Sequence, residues 1–102
     1  MFKHIVMWKL NKDASDQSKK DSAELIKSAL EQLPPLISQI ASYEVGINLH
    51  DSERTFDIVL ISEFQNQTDF ENYRTHPDHI KAVKIIRELC QKARFVDFIS
   101  DE

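Results

Sequence analysis

From Phe2 to Leu10 the side chains follow a two-residue rhythm. Phe2, Val6, Trp8 and Leu10 share one parity, with His4 among them, while Ile5 and Met7 occupy the other. That period predicts a strand, and apolar residues on both parities predict that both of its faces are covered. The next rhythm is helical. From about Ser15 to Leu33, the residues Ile26, Ala29, Leu30 and Leu33 recur on one face, with Lys27, Ser28 and Glu31 opposite. The polar stretch from Asp13 to Asp21 supplies cap candidates. Pro34-Pro35 ends the helix, because proline has no N–H and disfavours helix in the residue before it. Leu36, Ile37 and Ile40 then form a short apolar turn that lids the core.

Alternation returns from Ser42 to Leu49, with Tyr43, Val45, Ile47 and Leu49 set against Glu44, Gly46 and Asn48. Gly46, inside this strand, predicts a bulge or a close approach. The polar turn from His50 to Arg54 leads to a third strand, Phe56 to Phe64, close enough to the second to form a hairpin. Ile58, Leu60 and Phe64 take one parity of it, Val59 and Ile61 the other. Thr68 followed by Glu71 has the form of a capping box and starts a short helix through Tyr73. His76-Pro77-Asp78 predicts a second start, with Pro77 at the first helical position and Asp78 in the first turn. Ile80, Ala82, Val83, Ile85, Ile86, Leu89 and Cys90 give that helix a wide buried face. Phe95 to Ile99 is the last strand and 100–102 a tail.

The order is α+β: a ferredoxin-like β-α-β-β-α-β with a four-stranded antiparallel sheet. Two helices cover only one face of such a sheet, yet the first, third and last strands are apolar on both. The bare face predicts a homodimer, two sheets pressed together into an α/β barrel about a two-fold axis.

Composition narrows the classes of partner. A length of 102 residues is one domain, 1–102, and a single glycine with three prolines argues against linkers and disorder. The net charge of −4 argues against nucleic acid. Basic residues gather late, at Lys81, Lys84, Arg87, Lys92 and Arg94, and read as a solvated helix face. Cys90 is the only cysteine, so no internal disulfide forms, and its apolar setting predicts a small buried hydrophobe. No apolar run is long enough to span a membrane, and the first residues lack the features of a signal peptide, so the expected location is cytoplasmic. There is no glycine-rich loop to cradle a phosphate, and no cofactor is expected.

The candidate chemistry sits in the stretch Tyr73-Arg74-Thr75-His76-Pro77-Asp78-His79. His79 falls in the first turn of the last helix, whose positive end disfavours an imidazolium and keeps the ring neutral near pH 7. Tyr73 can hold a substrate oxygen, His4 can add a second polar contact beside Trp8, and Asp57 can orient a histidine. This set suits proton abstraction next to a carbonyl, followed by aldol-type ring closure. A plainer reading stands beside it. His76 and His79 satisfy free N–H groups at a helix start, His4 is a paired core or interface residue, and Trp8 is packing. His76, Asp78 and His79 also invite a metal reading. However, two histidines astride a proline, with only distant His4 to join them, do not make three converging ligands, and no metal is expected.

The segments MFKHIVMWKL, SYEVGINL, FDIVLISEF, FENYRTHPDHIKAV and FVDF together resemble the stress-responsive dimeric α/β-barrel (Dabb) family, in order and over essentially the whole chain. The resemblance implies a ferredoxin-like protomer and a homodimer whose sheets form a barrel. It is similar in the same segments to the olivetolic acid cyclase branch, which needs no cofactor. There the second histidine of His-Pro-x-His acts as base, helped by a tyrosine six residues earlier; the matching positions are His79 and Tyr73. An N-terminal pocket histidine of that branch corresponds to His4. Its third-strand pocket histidine is replaced by Asp57, which argues for a different substrate. Three functions follow as expectations. The first is a dimer that binds a small apolar or aromatic carbonyl or phenolic ligand, with cyclase- or lyase-like acid–base chemistry. The second is a non-catalytic stress-response dimer, and the third a cofactor-free monooxygenase.

Overall fold

The computed structural model describes residues 1–12 and 15–101. Asp13, at the head of the expected cap stretch, and Glu102, at the end of the expected tail, lie outside the described residues. The elements run β1 (Phe2–Leu10), α1 (Asp16–Glu31), β2 (Ile40–Ile47), β3 (Ile58–Phe64), α2 (Gln67–Arg74), α3 (Pro77–Leu89) and β4 (Cys90–Ile99). The four strands form one antiparallel sheet in the order β2-β3-β1-β4. This is the ferredoxin-like arrangement, with the second helical region divided in two.

The division at residues 75–76 has a local cause. Thr75 closes α2, and His76 opens α3 in an extended conformation, its Nδ1 accepting from the Asp78 N–H at 3.1 Å. Pro77 follows at the first helical position, where its missing N–H costs nothing. The start of α2 differs from the capping box expected at Thr68. Asn66 is the cap: its side-chain oxygen accepts from the Asp69 N–H at 2.8 Å. Asparagine is as good a cap as the sequence offers here, and the helix gains two residues by starting earlier. At the first helix Ser15 plays the same role toward Ser18, at 3.1 Å.

The helices cover one face of the sheet. Phe2, Val6 and Leu10 of β1, Val45 of β2, and Ile58, Leu60 and Phe64 of β3 are buried there, against Ala23, Ile26 and Leu30 of α1 and Ala82 and Ile86 of α3. Phe70 and Tyr73 fill the space from α2. The opposite parity forms the open face, where register sets Ile61, Ile5 and Val96 side by side. Met7, Ile61, Val96 and Phe98 on that face are each more than a third exposed. Gly46 belongs there too. A Cβ on it would come within 3.2 Å of Val59 Cγ1, so this is a close approach between neighbouring strands, while the irregularity of β2 falls earlier, between Ile40 and Ser42.

Other boundaries moved. β2 ends at Ile47, which leaves Leu49 in the connecting segment and 92% exposed. β4 begins at Cys90, five residues before the apolar run that announced it, because pairing with β1 continues through Lys92, Ala93 and Arg94. Cys90 is therefore the first strand residue after α3, and half-buried.

The two caps separate by mutation. Asn66→Ala should cost about 1 kcal/mol in urea unfolding, whereas Thr68→Ala should change stability by less than about 0.5 kcal/mol. The reverse order would place the cap at Thr68.

Candidate functional site

Between α2, α3 and the β1–β4 half of the sheet lies a cleft of about 820 Å³. Four of the residues singled out from the sequence line it: His4, Trp8, Tyr73 and His79. Its walls are otherwise mostly apolar, with Val6, Phe70, Ile80, Val83, Ile86 and Phe95 among them.

His79 arrives on the first turn of α3. Its Nδ1 lies 2.9 Å from the Arg74 carbonyl oxygen. A carbonyl only accepts, so Nδ1 carries the proton and the neutral ring holds its lone pair at Nε2. The ring packs against Tyr73, with centroids 4.3 Å apart and planes inclined by 43°. Burial pushes the His79 pKa below its ordinary value; the Arg74 carbonyl opposes this, while the charges of His4, Arg74 and His76 reinforce it. The neutral ring expected from the helix N-terminus is thus owed chiefly to desolvation.

His4 is presented by the alternation of β1, and strand register sets it opposite Ser62 on one side and Asp97 on the other. The ring Nδ1 bonds the Asp97 carboxylate. The ring also packs at a tilt against Phe70 at 4.7 Å and Phe95 at 6.0 Å, and Ser62 Oγ donates to the His4 carbonyl at 2.7 Å. Both cleft histidines are therefore anchored through Nδ1 by an oxygen acceptor. Among the described residues neither Nε2 has a hydrogen-bond partner.

Tyr73 is all but fully buried, and its hydroxyl lies 2.8 Å from that of Tyr43. Burial pushes the Tyr73 pKa up to about 12, and the hydrogen bond with Tyr43 holds it from rising further. Tyr43 is raised more strongly, by burial first and then by the charge and hydrogen bond of Tyr73. Either hydroxyl can be the donor in this pair. Tyr73 thus stays a neutral phenol, and when Tyr43 is the donor Tyr73 keeps its own O–H to give.

Asp57 and His76 are not brought to the cleft. Asp57 Oδ2 accepts from the Leu10 N–H at 2.8 Å, and the Asp57 N–H donates to the Trp8 carbonyl at 2.8 Å, so this residue secures the far end of β1 and orients neither histidine. His76 is occupied as the cap of α3. Cys90 does border the cleft, but burial, with the Asp57 charge second, pushes its thiol up to about 11, away from the thiolate a nucleophile needs. Among the described residues no group of three or more His, Cys, Asp or Glu side chains could hold a metal ion. Nor is any helix there long and apolar enough to cross a membrane.

Sequence reasoning missed Asp97, which lines the cleft, and Tyr43, which bonds the cleft residue Tyr73. Each left a faint signal: Tyr43 shares the parity of Val45 and Ile47, and Asp97 is a lone carboxylate inside an apolar strand. Their partners lie 30 and 93 residues away, so only pairing across the fold reveals them.

The same architecture recurs in known proteins. A dimeric protein of unknown function with a ferredoxin-like fold from Bacteroides fragilis is similar at a TM-score of 0.87 and 39% identity, covering 97% of this chain and 95% of that one. Two stress-response A/B barrel domain-containing proteins of Arabidopsis thaliana are 30% identical over 102 residues and 28% identical over 101. These matches take in 99% and 97% of this chain but only 37% and 47% of the relatives, so the chain spans less than half the length of either. The profile of the stress responsive A/B barrel domain matches residues 2–100, and with the sheet order and fold likeness above it places the chain in that family.

Proposed function

We propose that this chain, as one domain of residues 1–102, forms a cytoplasmic homodimer whose cleft binds a small carbonyl or phenolic compound and performs cofactor-independent acid–base chemistry on it. The observation that carries the reading is the fixed tautomer of His79. Its Nδ1–H is held by the Arg74 carbonyl, and its Nε2 is left with a lone pair beside a phenol that stays protonated. Nε2 takes a proton from the carbon next to a substrate carbonyl, and the electron pair moves onto the carbonyl oxygen. Tyr73 donates a hydrogen bond to that oxygen, while the Arg74 carbonyl steadies the imidazolium as it forms. The enolate then attacks a second carbonyl or expels a leaving group, and His79 returns the proton. His4, oriented by Asp97, offers a second nitrogen in the same cleft. A lowered pKa suits a base, because the ring is free at neutral pH without help from solvent.

The homodimer is supported by the apolar open face and by the dimeric Bacteroides fragilis protein. Sheet-to-sheet contact removes Met7, Ile61, Val96 and Phe98 from water while leaving the helix-side cleft open.

Three measurements test these statements. Sedimentation at micromolar concentration should give twice the chain mass, and a monomeric mass would sink the dimer. Deuterium uptake next to the carbonyl of 1-phenylpropan-2-one should be accelerated by the protein and slowed about 10²–10⁴-fold by His79→Gln, with a smaller loss in Tyr73→Phe; an unchanged rate in His79→Gln would remove His79 as the base. The third is an NMR titration of the His79 ring, whose midpoint should fall below the ordinary 6.5. Catalysed uptake should rise with pH through that midpoint and level off above it. Stability has the same sign: between 6.5 and the folded midpoint the unfolded chain holds a proton that the folded chain rejects, so stability falls as pH falls through that window. A midpoint at or above 6.5 contradicts the buried neutral base.

A further inference from the structure

The charges along the cleft are distributed unlike those of the chain. The whole sequence carries 17 acidic residues against 13 Lys and Arg. The cleft reverses the balance, with Arg74, Lys84, Arg87 and Lys92 against Glu71 and Asp97. Both of those carboxylates are already committed. Glu71 is bonded to Arg74 at 2.9 and 3.0 Å, and Asp97 to His4. Lys84, Arg87 and Lys92 have no ion-pair partner among the described residues. The sequence reading made them part of a solvated helix face, and they are exposed, but they border the same cleft as His79.

Their placement follows from helix geometry. His79, Val83 and Ile86 step along α3 at four and three residues, as do Ile80, Lys84 and Arg87, giving two parallel stripes on the cleft side. At 1.5 Å per residue, Lys84 and Arg87 stand about 7.5 and 12 Å along the axis from His79. Lys92 borders the cleft from β4, but it pairs with Lys9 and so has the parity of the sheet face turned away from the helices, which leaves Lys84 and Arg87 as the cations on the cleft side. One end of the cleft thus holds the base and the phenol, the middle is apolar, and the other end has unpaired cations.

We propose that the ligand of this cleft is an amphipathic carboxylate. Its anionic group is read by Lys84 and Arg87, its apolar body lies along Val83 and Ile86, and its carbonyl reaches His79. This rests on the proposed cleft chemistry and names the substrate class for it. A carboxylate at that end meets charges that nothing else in the cleft neutralises, and a neutral analogue leaves them in water at no gain. Because the cations are exposed, the preference is moderate and sensitive to salt.

The test uses 4-(acetoacetylamino)benzoate, in which an anilide separates an acidic methylene from a carboxylate, and its uncharged methyl ester. Each is titrated into the labelled protein by NMR at low and high salt. The acid should bind about tenfold tighter than the ester at low salt, and the gap should close as salt rises. Lys84→Gln with Arg87→Gln should bring the acid to the level of the ester without moving the ester. Equal affinities for acid and ester, both shifting His79 and Tyr73, would overturn the carboxylate and leave the cleft reading standing. Equal weakening of both ligands by the double variant would likewise overturn it. No shift at His79 or Tyr73 with either compound would overturn both.

Discussion

Everything in this fold depends on the register of β1. It is hydrogen-bonded on both sides, to β3 and to β4, and its side chains alternate between two different environments. Phe2, His4, Val6, Trp8 and Leu10 face the helices; Ile5 and Met7 face away. A slip of one residue would exchange the two sets and carry His4 and Trp8 out of the cleft. The burial of Phe2, Val6 and Leu10 resists that slip, and the Asp57 carboxylate on the Leu10 N–H fastens the strand at its far end. The same register that builds the core therefore sets His4 between Ser62 and Asp97.

The cleft inherits its chemistry from this geometry. Two imidazoles reach it from different elements, one on a strand and one on a helix turn, and each is turned by an oxygen on its Nδ1. Tyr73 comes from α2, and Tyr43 from the edge strand β2 is hydrogen-bonded to its hydroxyl. Burial is the dominant influence on His79, Tyr73, Tyr43 and Cys90 alike, and in each case it favours the uncharged form. A neutral base beside a neutral hydrogen-bond donor, in an apolar cleft, is suited to moving protons at carbon. The unpaired cations lie away from that centre, where they can hold an anion without charging the base.

The open face is the counterpart of the same alternation. Three helices on one side leave an apolar surface on the other, and β1 contributes to both. A second copy resting on Ile5, Met7 and Ile61 would back the strand that carries His4, so the proposed dimer and the proposed site share a structural element. Stiffening one face of a central strand limits the motion of side chains on its other face.

The periodicities of the sequence were enough to place β1, the proline-bounded first helix, the hairpin of β2 and β3, and a helix opened by His76 and Pro77. They were enough because strand alternation and helical spacing depend on neighbours two to four residues apart. The choice of Asn66 over Thr68 as a cap lay between two near-equivalent local options, and the early start of β4 at Cys90 came from pairing with the distant β1. The His-Pro-Asp-His stretch was conspicuous in sequence, yet its two histidines went to different tasks, His76 to a helix cap and His79 to the cleft. Asp57 shows the opposite error: its residue type suggested orienting a histidine, but the fold commits it to the Leu10 N–H. Tyr43, Asp97 and the cationic end of the cleft were decided by tertiary structure alone. Hydrogen bonds across the sheet join residues far apart in the chain, and no local pattern records which of them will meet.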